Sequence, residues 1–417
     1  MKKKLAVIAF HLGLAVLSFF GVFTVIACDN AVDGGSGGDG DSDSDSDTDG
    51  DSDSDADTDS DSDAGSDSDF DDEPWVMGYY VGYHRDLYPP EVVKYEAMTH
   101  LAIGAILPNA DGTIATHFYI DDVNGPAMVD ELVTGAHAVG TKAIAMVGGA
   151  GVYDQFFAAT SDANRATFVE ELVQFVRDEH NMDGIDLDWE PFSEIDHEPF
   201  EALVDDLRAA WPEVILTFPI GYLNINYQEP DPFYSEIAPK LDQLNIMSYT
   251  MTGTYSGWQS WHASALTGES GTTPCSVSST VNKYLESGIP AGKLGIGIGF
   301  YGVCYSAPVT APKQDIGGST ILRSDNEMSY TNIISEYYSE ESYVYDTEAQ
   351  APYLSLSPAV NDCTFVSYED EVSIAAKAEY VAAEGLGGAI IWTIDQGYIP
   401  DAEGAKDPLM DALQENF

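Results

Sequence analysis

Asp183-Gly184-Ile185-Asp186-Leu187-Asp188-Trp189-Glu190 is the stretch from which the rest of the chain is read. Successive side chains of a β-strand point to opposite faces, so Asp186, Asp188 and Glu190 share one face and Ile185, Leu187 and Trp189 the other. A strand that is acidic on one face and apolar on the other suits a closed barrel packed under helices, carboxylates inward. Alternate residues stand ~6.5–7 Å apart along a strand. Three carboxylates at that spacing in a shielded interior cannot all ionise cheaply, and a proton held near neutral pH makes a candidate general acid. Glu190 ends the run at the C-terminal end of its strand, where barrel active sites lie. The same spacing also fits a divalent-metal site or a structural carboxylate ladder, although no partner ligands stand at comparable positions on other strands.

Outward from this stretch, strand-like apolar runs recur with helix-like segments between them. They are Val76–Tyr80, Leu101–Leu107, Ala143–Val147, Gly184–Trp189, Val214–Pro219, Gln243–Tyr249, Leu294–Tyr301 and Gly388–Ile394. Several are apolar nearly throughout, as parallel strands covered on both faces are. Arg165–Asp178 and Pro199–Ala210 carry apolar residues at helical spacing. The α/β alternation predicts a (β/α)8 TIM barrel over residues 74–417. A doubly wound open sheet is the competing architecture, but the nearest glycine pattern, Gly295-Ile-Gly297-Ile-Gly299-Phe300, lies inside a strand with the wrong spacing for a nucleotide loop. The tyrosine-rich gap from about 302 to 368 is expected to be a small α+β insertion between strand 7 and helix 7, its two ends side by side.

The acidic stretch resembles the D-x-x-D-x-D-x-E motif of glycoside hydrolase family 18, the chitinase family, at all four acidic positions. Met146-Val-Gly148-Gly149 is similar to the family's glycine pair after the third strand, with Met146 where serine is common. Met247-Ser-Tyr249 resembles its Met-x-Tyr on the sixth strand, Gly299-Phe300-Tyr301-Gly302 the end of its seventh, and Trp392 its eighth-strand tryptophan. Tyr345-Asp346, Pro352-Tyr353 and Phe365-Val-Ser-Tyr368 resemble the insertion of the deep-cleft subgroup. The resemblance implies hydrolysis of β-1,4-linked N-acetylglucosamine chains such as chitin, with no cofactor and no metal. It makes Glu190 the acid and base, Asp188 the residue that orients the substrate acetamido group, Asp186 its proton-sharing neighbour, and Tyr249 a donor to the acetamido carbonyl. Trp392, Met247, Tyr301, Trp258 and Tyr80 become substrate contacts; Asp183, Gly148 and Gly149 become structural. Thr250 stands where the family often has Asp. Tyr255, Trp258 and Trp261 either stack on sugars or cover the barrel rim. A non-catalytic chitin-binding lectin on the same fold, or an endoglycosidase acting on N-glycans, are the alternatives; a lectin would be expected to have lost Glu190.

The N-terminus reads as an address. Lys2, Lys3 and Lys4 precede the apolar stretch Leu5–Ala27, the pattern of a signal peptide. Val25-Ile26-Ala27-Cys28 resembles a bacterial lipobox, which implies a lipidated Cys28 and a membrane-anchored protein of the cell envelope or cell surface. A transmembrane anchor is the other reading of that stretch. Residues 28–73 read as a Ser-Asp linker too poor in apolar residues to fold; Asp45–Gly50 matches only half of a calcium loop.

The 417 residues include 71 Asp and Glu against 16 Lys and Arg, a formal charge of −55. Residues 29–73 hold 20 acids and no base, and residues 74–417 carry a net −38. Such a chain is expected to bind no nucleic acid and to lack a basic patch for anionic lipid. The surplus reads either as a solvated acidic surface or as adaptation to salt, which screens self-repulsion. Cys304 and Cys363 bracket the insertion, and their pairing would fasten its base; Cys275 competes for Cys304. A monomer is expected.

Overall fold

The computed structural model describes residues 74–322 and 324–417. The signal peptide expected over 1–27, the lipidated Cys28 and the linker to residue 73 lie outside the described residues. Fourteen strands follow in chain order: β1 (Trp75–Val81), β2 (His100–Pro108), β3 (Ile114–Ala115), β4 (Lys142–Gly148), β5 (Gly184–Asp188), β6 (Ile215–Ile220), β7 (Gln243–Ile246), β8 (Leu294–Gly299), β9 (Val303–Tyr305), β10 (Ile321–Leu322), β11 (Tyr343–Asp346), β12 (Ala351–Val360), β13 (Cys363–Ser367) and β14 (Gly388–Trp392). Eight of them run parallel in the order β1-β14-β8-β7-β6-β5-β4-β2, and β1 also pairs with β2, so the sheet closes on itself. This is the expected (β/α)8 barrel.

Alternation gives the barrel two cores. Outward residues such as Val76, Leu101, Val147, Ile185, Leu187 and Trp189 pack under the helices. In the helix His197–Ala210, Phe200, Leu203, Val204 and Leu207 are buried, a single stripe at three- and four-residue spacing. Inward, Met77, Tyr79, Ala102, Ala105, Ile144, Met146 and Ile390 form a separate cluster. Burial on both sides explains why the strands are apolar throughout. Several strands stop short of their apolar runs: β7 ends at Ile246, β8 at Gly299 and β14 at Trp392. Pairing lapses at the rim, so Glu190, Met247, Tyr249 and Tyr301 sit just beyond strand ends, in the loops that build barrel sites.

The insertion between the seventh barrel strand, β8, and the helix Glu371–Glu384 is a five-stranded antiparallel sheet, β10-β9-β13-β12-β11. Its ends do lie side by side, with Ser367 opposite Val303 and Phe365 opposite Tyr305. Cys304 and Cys363 are joined across this pair, Cα atoms 5.5 Å apart, and Cys275 is free and buried. Buried polar ties fix the insertion and its flanking helix to the loop after β7. Lys377 Nζ donates to the Ser264 carbonyl at 2.9 Å and to Glu369, and His262 stands 3.1 Å from Asp346 Oδ2.

Candidate active site

The register lays out the centre. Asp186 faces Met146 on β4 and Thr217 on β6, and Asp188 faces Gly148. Both acids are buried inside the barrel, at 0% and 4% exposure, while Glu190 is half-buried at the mouth. Tyr79 Oη donates to Asp186 Oδ2 at 2.9 Å, and the Thr217 hydroxyl donates to its other oxygen. Asp188 Oδ1 is buried without a hydrogen-bond partner.

Glycines make the space. Gly148 and Gly149 turn through φ of 104° and 100°, and the Gly149 N–H donates to the Asp188 carbonyl at 2.7 Å. A Cβ on Gly148 would stand 2.3 Å from that same carbonyl oxygen, so no larger residue fits the turn. On β8, a Cβ at Gly297 would meet the Tyr249 ring at 2.8 Å, and one at Gly299 would meet the Tyr301 ring at 2.8 Å. The alternating glycines that resemble a broken nucleotide loop therefore clear room for two tyrosines.

Burial with little compensation governs the charges. It pushes the Asp186 carboxyl up to about 7, against the hydrogen bonds from Thr217 and Tyr79, with Glu190 adding to the rise. Asp188 is raised well above the carboxylate range by burial and then by the charges of Glu190 and Asp186. Burial also raises Glu190, against its interaction with Asp188. The Tyr249 phenol, raised by burial and by Tyr301 and the carboxylates, stays an O–H donor. Burial thus favours the protonated form at all three carboxyls, of which Glu190 is the most accessible.

Trp392 closes one side. Its ring packs 5.4 Å from Tyr79, and its Nε1 donates to Asp325 of the insertion segment at 3.0 Å. Tyr301 meets Tyr249 edge-on at 6.0 Å, and its hydroxyl is 2.7 Å from Thr250 Oγ1. Thr250 sits at φ 51°, turned toward Tyr301 rather than the ladder. Met247 packs with Tyr249 against the inner cluster.

Two expected contacts lie elsewhere. Tyr80 has the wrong strand parity: it is 1% exposed in the outer core and donates to the Tyr88 carbonyl at 2.8 Å. Its neighbour Tyr79 is the inward one, and the alternation Trp75, Met77, Tyr79 carried that signal. Trp258 is buried under the insertion with Val303, Tyr305 and Val309, because its loop folds beneath that sheet. Trp261 is likewise buried and donates to the Cys275 carbonyl at 2.7 Å. Tyr255, 63% exposed, is the accessible ring of that group. Asp183 lies outside the site, held by His137 at 2.7 Å, Lys142 at 3.3 Å and the Ala143 N–H at 2.8 Å. Among the described residues, no three His, Cys, Asp or Glu side chains converge as metal ligands would.

The sequence description of glycosyl hydrolases family 18 matches residues 75–397. The chain is 30% identical over 265 residues to chitotriosidase-1 of Mus musculus, across 56% of this chain and 53% of that protein. It is 26% identical over 287 residues to an endochitinase of Manduca sexta, across 61% of this chain and 50% of the relative. It therefore spans about half the length of these curated relatives. The Group IV chitinase of Ostrinia furnacalis, solved with allosamidin, shares the fold with a TM-score of 0.70 at 24% identity, over 82% of this chain and 98% of that one. The family match takes in every barrel strand, the carboxylate ladder and the insertion, and the chain belongs to glycosyl hydrolases family 18.

Proposed function

We propose that the protein hydrolyses β-1,4-linked N-acetylglucosamine chains with retention, using the substrate's own acetamido group as nucleophile. The observation that carries this reading is the ladder itself. Asp186 and Asp188 lie on β5 and Glu190 just beyond its end, with Asp188 Oδ1 buried and unpartnered. Most retaining glycosidases set a second carboxylate across the sugar, and this family is a substrate-assisted exception. Glu190 gives its proton to the glycosidic oxygen as the acetamido oxygen attacks the anomeric carbon. Asp188 accepts from the acetamido N–H and balances the oxazolinium charge, with Asp186 sharing its proton. Tyr249 donates to the acetamido oxygen, and Trp392 forms the floor. Glu190 then takes a proton from water, which opens the oxazolinium ion with net retention.

Chitin-like chains are favoured by the names of the relatives and by the insertion, which walls one side of the mouth beside Trp392. Release of reducing sugar from chitin oligomers, compared with a high-mannose glycoprotein, tests the reading. Cleavage of only the glycoprotein would make the protein an endoglycosidase, and binding without release would make it a lectin.

The domain is further proposed to be held at a membrane of the cell envelope by a lipid on Cys28. Cys28→Ala should then move the protein into the soluble fraction with its rate on soluble oligomers unchanged. An unchanged membrane fraction would point to an uncleaved transmembrane anchor.

A further inference from the structure

Four of the eight loops at the barrel mouth are one-sided in charge, while the loop that carries Tyr83 adds one base, Arg85, whose charge acts on Asp121. Segments 109–123, 189–196, 221–232 and 247–276, which follow β2, β5, β6 and β7, hold nine carboxylates and not one Lys or Arg. Asp111, Asp121, Asp122, Glu194, Glu229 and Glu269 are exposed there. The bases of the domain are largely spent elsewhere. Lys142, Arg165, Arg177, Arg208 and Lys240 each pair with carboxylates on the helices and the opposite end of the barrel, while Lys283 pairs with Glu229 of the rim itself.

A second feature stands at the same mouth. Tyr83 and Tyr119 are 43% and 46% exposed, and their rings meet edge-on at 5.5 Å. The loops that carry them touch closely, since a Cβ on Gly82 would fall 2.0 Å from the Phe118 carbonyl oxygen. Phe118 and Tyr119 both take left-handed φ values, 46° and 58°, which buries Phe118 against Phe175 and turns Tyr119 outward. Besides burial, the charge of Asp325 pushes the Tyr83 phenol up, and that of Asp188 the Tyr119 phenol. Exposed aromatic faces within reach of carboxylates are the chemistry that holds an ammonium group.

We infer that the cleft takes partly deacetylated chitin, a polycation of mixed N-acetylglucosamine and glucosamine, in preference to the neutral polymer, drawn by the acidic rim and seated on Tyr83 and Tyr119. This rests on the glycosidase reading above. Within it, the sugar at the ladder keeps its acetamido group, which supplies the nucleophile, while its neighbours carry the ammonium groups. Fields of one sign over a cleft raise the capture of an oppositely charged ligand by ~10–10³-fold and fade with ionic strength.

The test compares the full chain on a soluble, partly deacetylated chitin and on a fully acetylated oligomer, each from about 10 mM to about 0.5 M salt. The expected result is a fall in kcat/KM of at least ~10-fold for the polycation and under ~2-fold for the neutral oligomer. Asp122→Lys with Glu194→Lys should lower the ratio of the two rates at low salt. Matching salt profiles for both substrates would overturn the inference. A steep profile that the double variant leaves unchanged would also overturn it, by assigning the attraction to the acidic segment 29–73. If neither substrate is cleaved, the glycosidase reading fails instead. Salt-sensitive retention on immobilised polycation, lost in the double variant, then still decides the role of the rim.

Discussion

The two ends of the Asp183–Glu190 stretch use the same side chain in opposite ways. Asp183, three residues before Asp186, meets a histidine, a lysine and a backbone N–H. Although burial alone would raise its carboxyl, these partners hold it below the usual range. Asp186 and Asp188 meet hydroxyls and other carboxyls, and burial raises both. Acidity here follows from what surrounds each carboxyl, not from its spacing in the motif. The outer end, where burial favours the protonated carboxyl, is the one proposed to react; the inner end braces β5 against β4 and the helix Asn124–Val139.

Glu190→Gln should break the reactive end most severely. It keeps shape and hydrogen bonding but removes the transferable proton, so hydrolysis should fall by ~10²–10⁴-fold while oligomer binding persists. Asp188→Asn should come next, because an amide cannot balance the oxazolinium charge. Rates near normal for Glu190→Gln, measured by reducing-sugar release, would force the ladder to be reread as structural.

Thr217→Val sharpens the comparison at the middle acid. The Thr217 hydroxyl lowers the Asp186 pKa, so its loss should move the limb of the pH–rate profile set by Asp186 from about 7 to higher pH. The rate at the optimum should change by roughly 10- to 100-fold, as expected for one hydrogen bond to a carboxylate. Thr217→Ser should restore the limb, and a profile unmoved by Thr217→Val would sever Asp186 from the titration.

Much of this was legible before any coordinates. The period-two alternation around Asp186 and the eight apolar runs gave the barrel, because inward and outward faces obey a local rule. Cys304 and Cys363 gave the base of the insertion. Partners brought from other strands were not legible. Nothing near Thr217 marks it as the donor to Asp186, since the register that sets β6 beside β5 is fixed across the intervening helix His197–Ala210 and not by the local sequence. Nothing near Asp325 marks it as the partner of Trp392. Tyr80 was misplaced for Tyr79 because two adjacent tyrosines satisfy a composition pattern equally, and only strand parity separates them. Trp258 was misplaced because a loop tryptophan carries no sign of the sheet that later covers it.

The gentlest effects separate the two ends by pH. Asp183 has a folded pKa below its unfolded value of ~3.9, so its contribution to stability is present above that value and is lost as pH falls through the folded one. Asp186 has a folded pKa of about 7, above the unfolded value, so its contribution is complete in acid and is lost as pH rises toward 7. Asp183→Asn should therefore lower Tm at neutral pH and flatten its fall in acid. Asp186→Asn keeps one oxygen to accept from one of the two hydroxyls of Tyr79 and Thr217, its amide N–H can donate to the other, and an amide has no charge to bury. It should raise Tm at pH 7 and above and leave it nearly unchanged near pH 4, while activity is lost. Shifts of only a few degrees are expected, since about 1 kcal/mol moves a domain of this size by ~2–4 °C or less. Thermal melts of both variants across pH 4–8 decide the matter. If the two shift Tm in the same direction at pH 7, Asp186 is not a carboxyl held against its charge by burial, and the contrast between the ends of the strand fails.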